Sequence, residues 1–521
     1  MLDKWFNASV HFYVQLVALS AIVIGVSTSN VLMSLGTMLL LLNWLLEADF
    51  AAKRERFLQK PTSWIFVFLF GFGLISLIWS SNLAYGVHDL RIKLPLFIIP
   101  LVLSTSVPLA RHYFYFLLYL FILTVVTTSL WNYYQFSKNF ENVHDIRQMS
   151  RFISHIRYSV LVNLAIFFSY YLLLKKKWMM YLWAPIIVWL AFYQYKAQVV
   201  NGYGLFIILS ILSIIYWIRN LKSIQWKRIA LVGLATFVVT VFIGVIYVWQ
   251  KTNVAIQNVD YSKLELYTAN HNGYYHQRNT NISEDGKLVY LYVSEKECRA
   301  AWAKRSDVHF DSLDKKGHPI AGTLYRYMTS KDLRKDSIGF LSLTDKDIIN
   351  IENGFSNYKT NKGLTEKISD LKMQLFLLKS HGDPNGNSII QRKLHLLAAG
   401  GILKKKWLFG VGVGDVQDAF RQQYSASHSL LKLENQHRSH NQFLTVWISH
   451  GLIGFIALLL LWIIPFYKYL KTCDYLLCVV LISFGFSFLW QDMLETQAGV
   501  TIFALFYSLM VYKERKYVEN R

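Results

Sequence analysis

Residues 442–466 read Gln-Phe-Leu-Thr-Val-Trp-Ile-Ser-His-Gly-Leu-Ile-Gly-Phe-Ile-Ala-Leu-Leu-Leu-Leu-Trp-Ile-Ile-Pro-Phe. No Asp, Glu, Lys or Arg interrupts this stretch, and as a helix it is long enough to cross the roughly 30 Å of a bilayer's hydrocarbon core. It is one of about twelve such runs, the others centred near 11–28, 30–46, 62–80, 89–106, 112–134, 158–174, 178–195, 203–218, 228–249, 474–490 and 497–512. The first run follows Lys4 and lacks a small-residue cleavage site, so it reads as a retained helix rather than a signal peptide. The pattern predicts an all-α polytopic membrane protein with about twelve transmembrane helices.

Composition agrees. Of 521 residues 54% are hydrophobic and 17% charged, with 16 Trp, 32 Tyr and 35 Phe. Those proportions exclude a disordered chain and argue against three or four ordinary soluble domains. Three cysteines (Cys298, Cys473, Cys478) cannot build a disulfide framework. The formal charge of +22 would suggest nucleic acid in a soluble protein. Here it reads first as a topology signal, and no nucleic-acid partner is expected.

One set of short loops holds Lys53, Arg54, Arg56 and Lys60; Arg111; Lys175 to Lys177; Arg219, Lys222, Lys227 and Arg228; then Lys468 and Lys471. The tail adds Lys513, Arg515 and Lys516. Less basic loops alternate with these, which predicts cytoplasmic termini and places the long polar segment across the membrane, in the periplasm if the membrane is a bacterial inner one. The expected organisation is an N-terminal bundle of about nine helices (1–249), a mostly helical loop domain (250–440), about three C-terminal helices (441–513) and a cytoplasmic tail (514–521). Within the loop domain Leu288–Val293 reads as a strand, Thr344-x-x-Asp347 as a capping box, and Gly382-Asp-Pro-Asn-Gly-Asn387 as a turn cluster.

Several cations fall on the non-cytoplasmic side, against the positive-inside rule. Arg91 and Lys93 open the fourth run, Arg147, Arg151 and Arg157 lie in the following outer loop, and Lys196 ends the seventh run. Each is equally an interfacial side chain that snorkels to water. Together they suggest an anionic ligand at the outer face, such as a lipid phosphate or pyrophosphate.

The sharpest chemical signal is Arg438-Ser-His-Asn-Gln442. Ser439 and Gln442 have capping-box spacing, which makes Ser439 the predicted N-cap and puts His440 in the first helical turn at the membrane surface. A neutral imidazole there can accept a proton from a sugar hydroxyl, and the neighbouring Arg438 can pair with phosphate. The alternative is an interfacial His that only helps to cap the helix. Gly451 and Gly454 allow close helix approach, and His450 reads as a packed polar residue.

Gly410-Val-Gly-Val-Gly-Asp415 is either a phosphate-cradling turn or a turn that closes the loop domain onto the membrane; it lacks the Gly-Lys-Ser/Thr of a P-loop. Arg392 is a candidate anion ligand or an ordinary surface arginine. Asp492 and Glu495 lie on the His440 side and can orient an arginine or a sugar hydroxyl, or be solvated loop carboxylates. Zinc-ligand pairs, a serine-hydrolase elbow and a dinucleotide fingerprint are all missing, so neither metal nor cofactor is expected.

Taken together, these residues resemble the O-antigen ligase and polymerase superfamily of bacterial envelope glycosyltransferases. The family pattern His-Asn/Ser/Gln, nine residues, Gly-x-x-Gly/Thr/Tyr is met by His440-Asn441 and Gly451-Leu-Ile-Gly454. Trp407 to Asp415 resembles the glycine-rich turn that precedes that His in the family, and Arg392 matches the arginine ahead of the turn. The loop, with Tyr325-Arg-Tyr-Met-Thr-Ser-Lys331, is most similar to ligase-like proteins of the Bacteroidetes type. One departure is Asn201 in Asn-Gly-Tyr-Gly-Leu205, where the family carries arginine; Lys196 is the nearest cation.

The resemblance implies a GT-C-like glycosyltransferase of lipopolysaccharide biosynthesis. Such an enzyme moves a glycan from undecaprenyl pyrophosphate to the lipid A core, with inversion and without metal or nucleotide. It implies His440 as the group that activates the acceptor hydroxyl, with Arg392 and Arg438 as further catalytic residues. Arg91, Lys93, Arg157, Lys196, Asn441, Asp415 and Glu495 are the corresponding substrate-binding candidates. A polymerase using the same donor, with a lipid-linked repeat as acceptor, is the nearest rival. A polysaccharide or lipid transporter is the second class; against it, the charges gather at one face rather than at the midplane.

Overall fold

The computed structural model describes residues 8–138, 146–175, 177–252, 256–277, 282–315, 317–359, 374–375, 384–385, 388–469 and 474–513. All twelve apolar runs are helical. In chain order the helices are α1 (Ala8–Thr28), α2 (Asn30–Leu46), α3 (Phe50–Leu58), α4 (Pro61–Ser76), α5 (Leu83–Thr105), α6 (Arg111–Lys138), α7 (His155–Lys175), α8 (Met180–Ala197), α9 (Val200–Asn220) and α10 (Ile224–Thr252). After the polar segment, which holds α11 (Glu295–Trp302), α12 (Ile320–Ser330), α13 (Ser337–Leu341) and α14 (Asp345–Glu352), come α15 (Ser388–Lys406), α16 (Val416–Ala426), α17 (Gln442–Tyr469), α18 (Tyr475–Trp490) and α19 (Gln497–Val511).

Among the described residues seven helices are long and apolar enough to cross a membrane, and eight if the α2–α3 pair, bent by 114°, counts as one span. This is the make-up of an all-α membrane protein. The expected twelve crossings are not reached on that test. Helices α18 and α19 have 16 and 15 residues, which at 1.5 Å per residue span only about 24 Å. Helix α5 is interrupted by Asp89, Arg91 and Lys93.

The chain forms two compact units, and their boundary differs from the expected one. The first unit is Met1–Ala230, Leu394–Ser429 and Leu433–Arg521; the second is Leu231–Lys393 with Leu430–Lys432. The glycine-rich turn and the approach to His440 therefore belong with the apolar helices, not with the loop domain.

In the first unit α4, α17, α18 and α19 share an aromatic core. The Phe503 ring lies 5.3 Å from Phe488, 5.0 Å from Phe484 and 5.7 Å from Trp462, and Phe66 meets Tyr507 edge-on at 5.1 Å. Edge-to-face pairs of this kind add to the burial of large rings. Some buried polar side chains bond across helices: Ser63 with Ser104 at 2.7 Å, and Asn163 Nδ2, which donates to the Gly202 carbonyl at 3.2 Å. A Cβ at Gly202 would lie 1.8 Å from the Gln194 side-chain amide and 3.0 Å from Ser159 Cβ, so a larger residue there would have to displace the Gln194 side chain. In the apolar window of α10, most of which belongs to the second unit, no residue is buried, as on a surface in contact with lipid.

The second unit has its own core, in which Val289, Cys298, Trp302, Phe340, Ile348 and Ile351 are buried. The capping box at Thr344 and Asp347 is present. The regular strand expected over Leu288–Val293 is not: among the described residues the ladder is limited to Ser283–Glu284 against Lys287–Leu288, and the backbone beyond it bonds to several segments, Val289 N–H to the Ile282 carbonyl, Gln277 N–H to the Tyr290 carbonyl, Val293 reciprocally to Tyr275 and Ser294 N–H to the Lys335 carbonyl. Val289, Leu291 and Val293 are buried, so the alternation serves side-chain burial without one continuous partner strand. Of the Gly382–Asn387 turn cluster only Pro384 and Asn385 are among the described residues, and Cys473 and the tail from 514 lie outside them.

Candidate active site

The site is organised by a break in α17. Gly451 has φ +66° and ψ −169°, which interrupts the helix two and a half turns from its start. Into the break docks the 407–415 turn. Val411 and Gly412 donate to the carbonyls of Ile448 and Ser449 at 2.8 and 3.1 Å, and Leu452 N–H donates back to the Trp407 carbonyl at 2.8 Å. The contact has no room for a side chain: a Cβ on Gly451 would lie 2.0 Å from the Leu408 carbonyl oxygen, and one on Gly410 2.6 Å from Gly451 N. The two glycine motifs singled out in the sequence are thus halves of one joint.

This joint decides between the two readings of Gly410–Asp415. Gly410 N–H donates to the Lys406 carbonyl, Val413 N–H to Ser76 Oγ at 3.1 Å, Gly414 N–H to Ser80 Oγ at 3.2 Å, and Asp415 N–H to the Gly412 carbonyl. Every backbone N–H from Gly410 to Asp415 has a protein acceptor, so the turn closes the chain onto the membrane unit and has no donors left to cradle phosphate. Asp415, expected to bind substrate, instead accepts the N–H groups of Ser81 and Asn82 at 2.8–2.9 Å, ahead of α5. A carboxylate there satisfies exposed donors at a helix start.

Helix α5 next supplies Tyr85, Asp89 and Lys93, which at i, i+4 and i+8 share one helix face. Lys93 Nζ lies 2.7 Å from Asp89 Oδ2 and 3.5 Å from Glu495 Oε1. Arg438 bridges the Glu495 carboxylate and the Tyr85 hydroxyl, with its guanidinium against the Tyr85 ring. Gln442 completes the cluster: its Nε2 donates to Glu495 Oε1 at 3.0 Å, and its Oε1 accepts Leu494 N–H at 2.6 Å. Burial works against the charge on Glu495, but Lys93 and Arg438 outweigh it and hold the carboxyl below the ordinary carboxylate range. Two cations and two carboxylates balance here, which makes the cluster a neutral, buried clamp between α5, the start of α17 and the 492–495 turn.

His440 stands beside the clamp. The predicted cap is displaced by two residues. Helix α17 begins at Gln442, and Asn441 is its N-cap: Asn441 Oδ1 accepts Leu444 N–H at 3.1 Å, and its carbonyl accepts Thr445 N–H. Ser439 Oγ accepts Asn441 N–H at 3.2 Å instead. His440 therefore precedes the helix, in the left-handed region at φ +51°, which non-glycine residues seldom adopt outside functional or tightly held positions. Asp492 holds it there. Its Oδ2 accepts the His440 backbone N–H at 3.1 Å and lies 3.8 Å from His440 Nδ1, and its Oδ1 accepts the Thr445 hydroxyl at 2.7 Å. Burial, reinforced by the Glu495 charge, pushes the Asp492 carboxyl up to about 6. On the other side the His440 ring meets His395 at 5.3 Å and His437 at 5.8 Å. His395 Nε2 is 3.0 Å from the Asn435 carbonyl. Among the described residues no group of three His, Cys, Asp or Glu is placed to hold a metal ion. An imidazole facing a carboxylate can take up a proton from a hydroxyl and share the resulting charge with its neighbour.

The remaining candidates scatter. Asn441 caps α17 and donates to the Leu489 carbonyl at 3.2 Å. Arg157 and Arg151 line a separate cavity with Thr496 and Gln497. Arg91 is exposed, 3.3 Å from His88 Nδ1. Lys196 is exposed over the Phe192 ring at 5.6 Å. Asn201 donates to Ser487 Oγ at 3.4 Å, and among the described residues its buried Oδ1 has no partner. Arg392 belongs to the second unit and lies on α15, three residues before His395. The Arg147 side chain lies outside the described ones. His450 is packed as expected, buried with its Nδ1 2.6 Å from Ser449 Oγ.

Sequence reading missed Tyr85, Asp89, Gln442, Thr445, His395 and His437 as members of the site. The Tyr85–Asp89–Lys93 spacing and the position of His395 one turn after Arg392 were usable signals; the roles of Gln442 and Thr445 depend on contacts with the 492–495 turn and had none. No family model and no curated protein matches this chain.

Proposed function

We propose that this protein is an O-antigen ligase-like glycosyltransferase that moves a glycan from undecaprenyl pyrophosphate to the lipid A core, at the periplasmic face of a bacterial inner membrane with both termini cytoplasmic. The observation that carries the reading is His440-Asn441 spaced nine residues from Gly451-Leu-Ile-Gly454, with His440 held against Asp492 at a helix start. In this mechanism an acceptor hydroxyl attacks the anomeric carbon as its proton passes to His440. The new glycosidic C–O bond forms, the C–O bond to pyrophosphate breaks, and the lipid pyrophosphate leaves with the bonding pair. Asp492 stabilises the imidazolium. Because Arg438 and Lys93 are balanced by Glu495 and Asp89, their work is to position the start of α17 rather than to neutralise the leaving group. Within the first unit that charge falls to Arg157 in this reading.

The test is a lipopolysaccharide gel, with lipid-linked glycans extracted in parallel, from a deletion strain carrying wild type or His440→Ala. Loss of the ladder in His440→Ala, with long chains accumulating on the lipid carrier and the variant still in the membrane, supports the ligase. A single repeat still attached to the core would mean a polymerase. A normal ladder in His440→Ala would overturn the assignment.

A further inference from the structure

One surface of the first unit takes no part in the proposed reaction. The last turn of α15 carries Lys404, Lys405 and Lys406, all exposed, and the chain runs on into Trp407, Leu408 and Phe409. These three apolar side chains are 50, 38 and 56% exposed. A run of consecutive large apolar residues facing water is disfavoured on a protein surface and marks a contact site.

The bonds of this tip fix its level against two helices long and apolar enough to cross a membrane, α4 and α17. The Trp407 carbonyl accepts Trp447 Nε1–H at 2.9 Å and Leu452 N–H at 2.8 Å. At 1.5 Å per residue those donors lie roughly 8–15 Å past the first residue of α17. At the other end of the same stretch the His395 ring is 5.3 Å from that of His440. Residues 395 and 407 thus meet 440 and 452, so α15 runs beside α17 and leads its tip towards the hydrocarbon. On the return, Val413 N–H donates to Ser76 Oγ in the last turn of α4.

Two further features suit that level. Non-helical backbone at membrane depth is tolerated where protein meets its polar groups, and every N–H from Gly410 to Asp415 has a protein acceptor. Trp and Lys are also the residues that suit the boundary itself. The indole sits where hydrocarbon gives way to headgroups, and the ammonium reaches out to the anionic layer.

We propose that Lys404–Phe409 is a lipid-binding tip, with Trp407, Leu408 and Phe409 seated at the headgroup–acyl boundary and the three lysines drawn to anionic phospholipid headgroups. Charge selects the bilayer over a second copy of the chain. A two-fold contact would set this patch against itself, lysines facing lysines. The surface does not depend on glycosyl transfer. Its consequence is positional: the tip continues into the joint with α17, so lipid contact sets the height of His440 above the hydrocarbon.

The test places the photoreactive residue p-benzoylphenylalanine at Phe409, an exposed ring that a larger one can replace. The full chain is held in nanodiscs of mixed phosphatidylcholine and phosphatidylglycerol. The same residue at Ile463, exposed on the spanning part of α17, sets the full lipid signal. After irradiation, mass spectrometry is expected to find phospholipid attached at 409 as at 463, with phosphatidylglycerol enriched at 409 about fivefold over its share of the disc. In K404Q/K405Q/K406Q the lipid adduct should persist and the enrichment vanish. A crosslink to a second copy, no adduct at 409 where 463 gives one, or the same lipid proportions with and without the lysines overturns the proposal.

Discussion

Asp492 grips His440 at two points, taking its backbone N–H at 3.1 Å and facing its Nδ1 at 3.8 Å with the same oxygen. The grip explains how a histidine stays in a left-handed conformation just outside a helix, and it ties the state of the imidazole to that of one buried carboxyl.

From this follows a pH dependence. Burial first, and the Glu495 charge second, raise the Asp492 carboxyl to about 6. Below that value it is neutral and cannot stabilise an imidazolium, so transfer is expected to rise with pH through about 6. Stability runs the other way. A carboxyl whose pKa is raised on folding contributes stability that is present below its ordinary value near 4 and is lost as pH rises through about 6. Asp492→Asn should change the position of the acidic limb of the pH–rate profile, leaving the part that comes from protonation of the His440 base, and lower kcat at least about tenfold, without lowering the unfolding temperature at pH 8. A limb unchanged from wild type would show that Asp492 does not contribute to it.

The Glu495 clamp gives a stability prediction. Glu495→Gln leaves Arg438 and the Lys93–Asp89 pair without their shared acceptor in a buried setting, and removal of one partner from such a network costs about 3–5 kcal/mol. Arg438→Gln should be comparably harmful. The double variant E495Q/R438Q should be less destabilised than the sum of the two, by about 1–3 kcal/mol. Chemical denaturation of the four proteins in the same detergent measures this; simple additivity would mean that the pair is not coupled.

The apolar helices were legible because their runs announce themselves whatever surrounds them, and the joint of α17 with the 407–415 turn was half legible as two glycine motifs. Whether those motifs met was not, since the partners of Asp415 lie more than 330 residues away in the chain. The helix cap was misplaced for a similar reason. Ser439-His-Asn-Gln offers two capping residues, and the choice fell to Asn441 because Gln442 is drawn to Glu495 and Leu494 rather than back to Ser439. Lys93 and Arg438 read as free cations in the sequence because their counter-charges sit on other elements or one helical turn away. Leu288–Val293 alternates like a strand, but backbone pairing depends on a neighbour, which periodicity does not reveal.

Asp415 separates a structural from a substrate-binding role. Asp415→Ala removes the acceptor of two backbone donors and is expected to cost about 1–2 kcal/mol, seen as a lower unfolding temperature. At a temperature where the variant remains folded, KM for the lipid-linked donor should equal that of wild type. A raised KM with unchanged stability would return Asp415 to the substrate.

The joint itself is tested at Gly451. An alanine there meets two penalties at once. A positive φ with an extended ψ is essentially open to glycine alone and costs another residue about 1–3 kcal/mol, and the added methyl would sit 2.0 Å from the Leu408 carbonyl oxygen, in backbone that has no side chain to swing away. Gly233, around which nothing lies within 4 Å, is the matched control in an exposed helix. There alanine is expected to be neutral or to stabilise by up to about 1 kcal/mol. Gly451→Ala should therefore lower the unfolding temperature sharply, or leave little folded protein in the membrane, while Gly233→Ala accumulates normally. If Gly451→Ala were as stable as the control, the break in α17 would not be held by the 407–415 turn. The placement of His440 would then have to come from Asp492 and the Arg438 clamp alone.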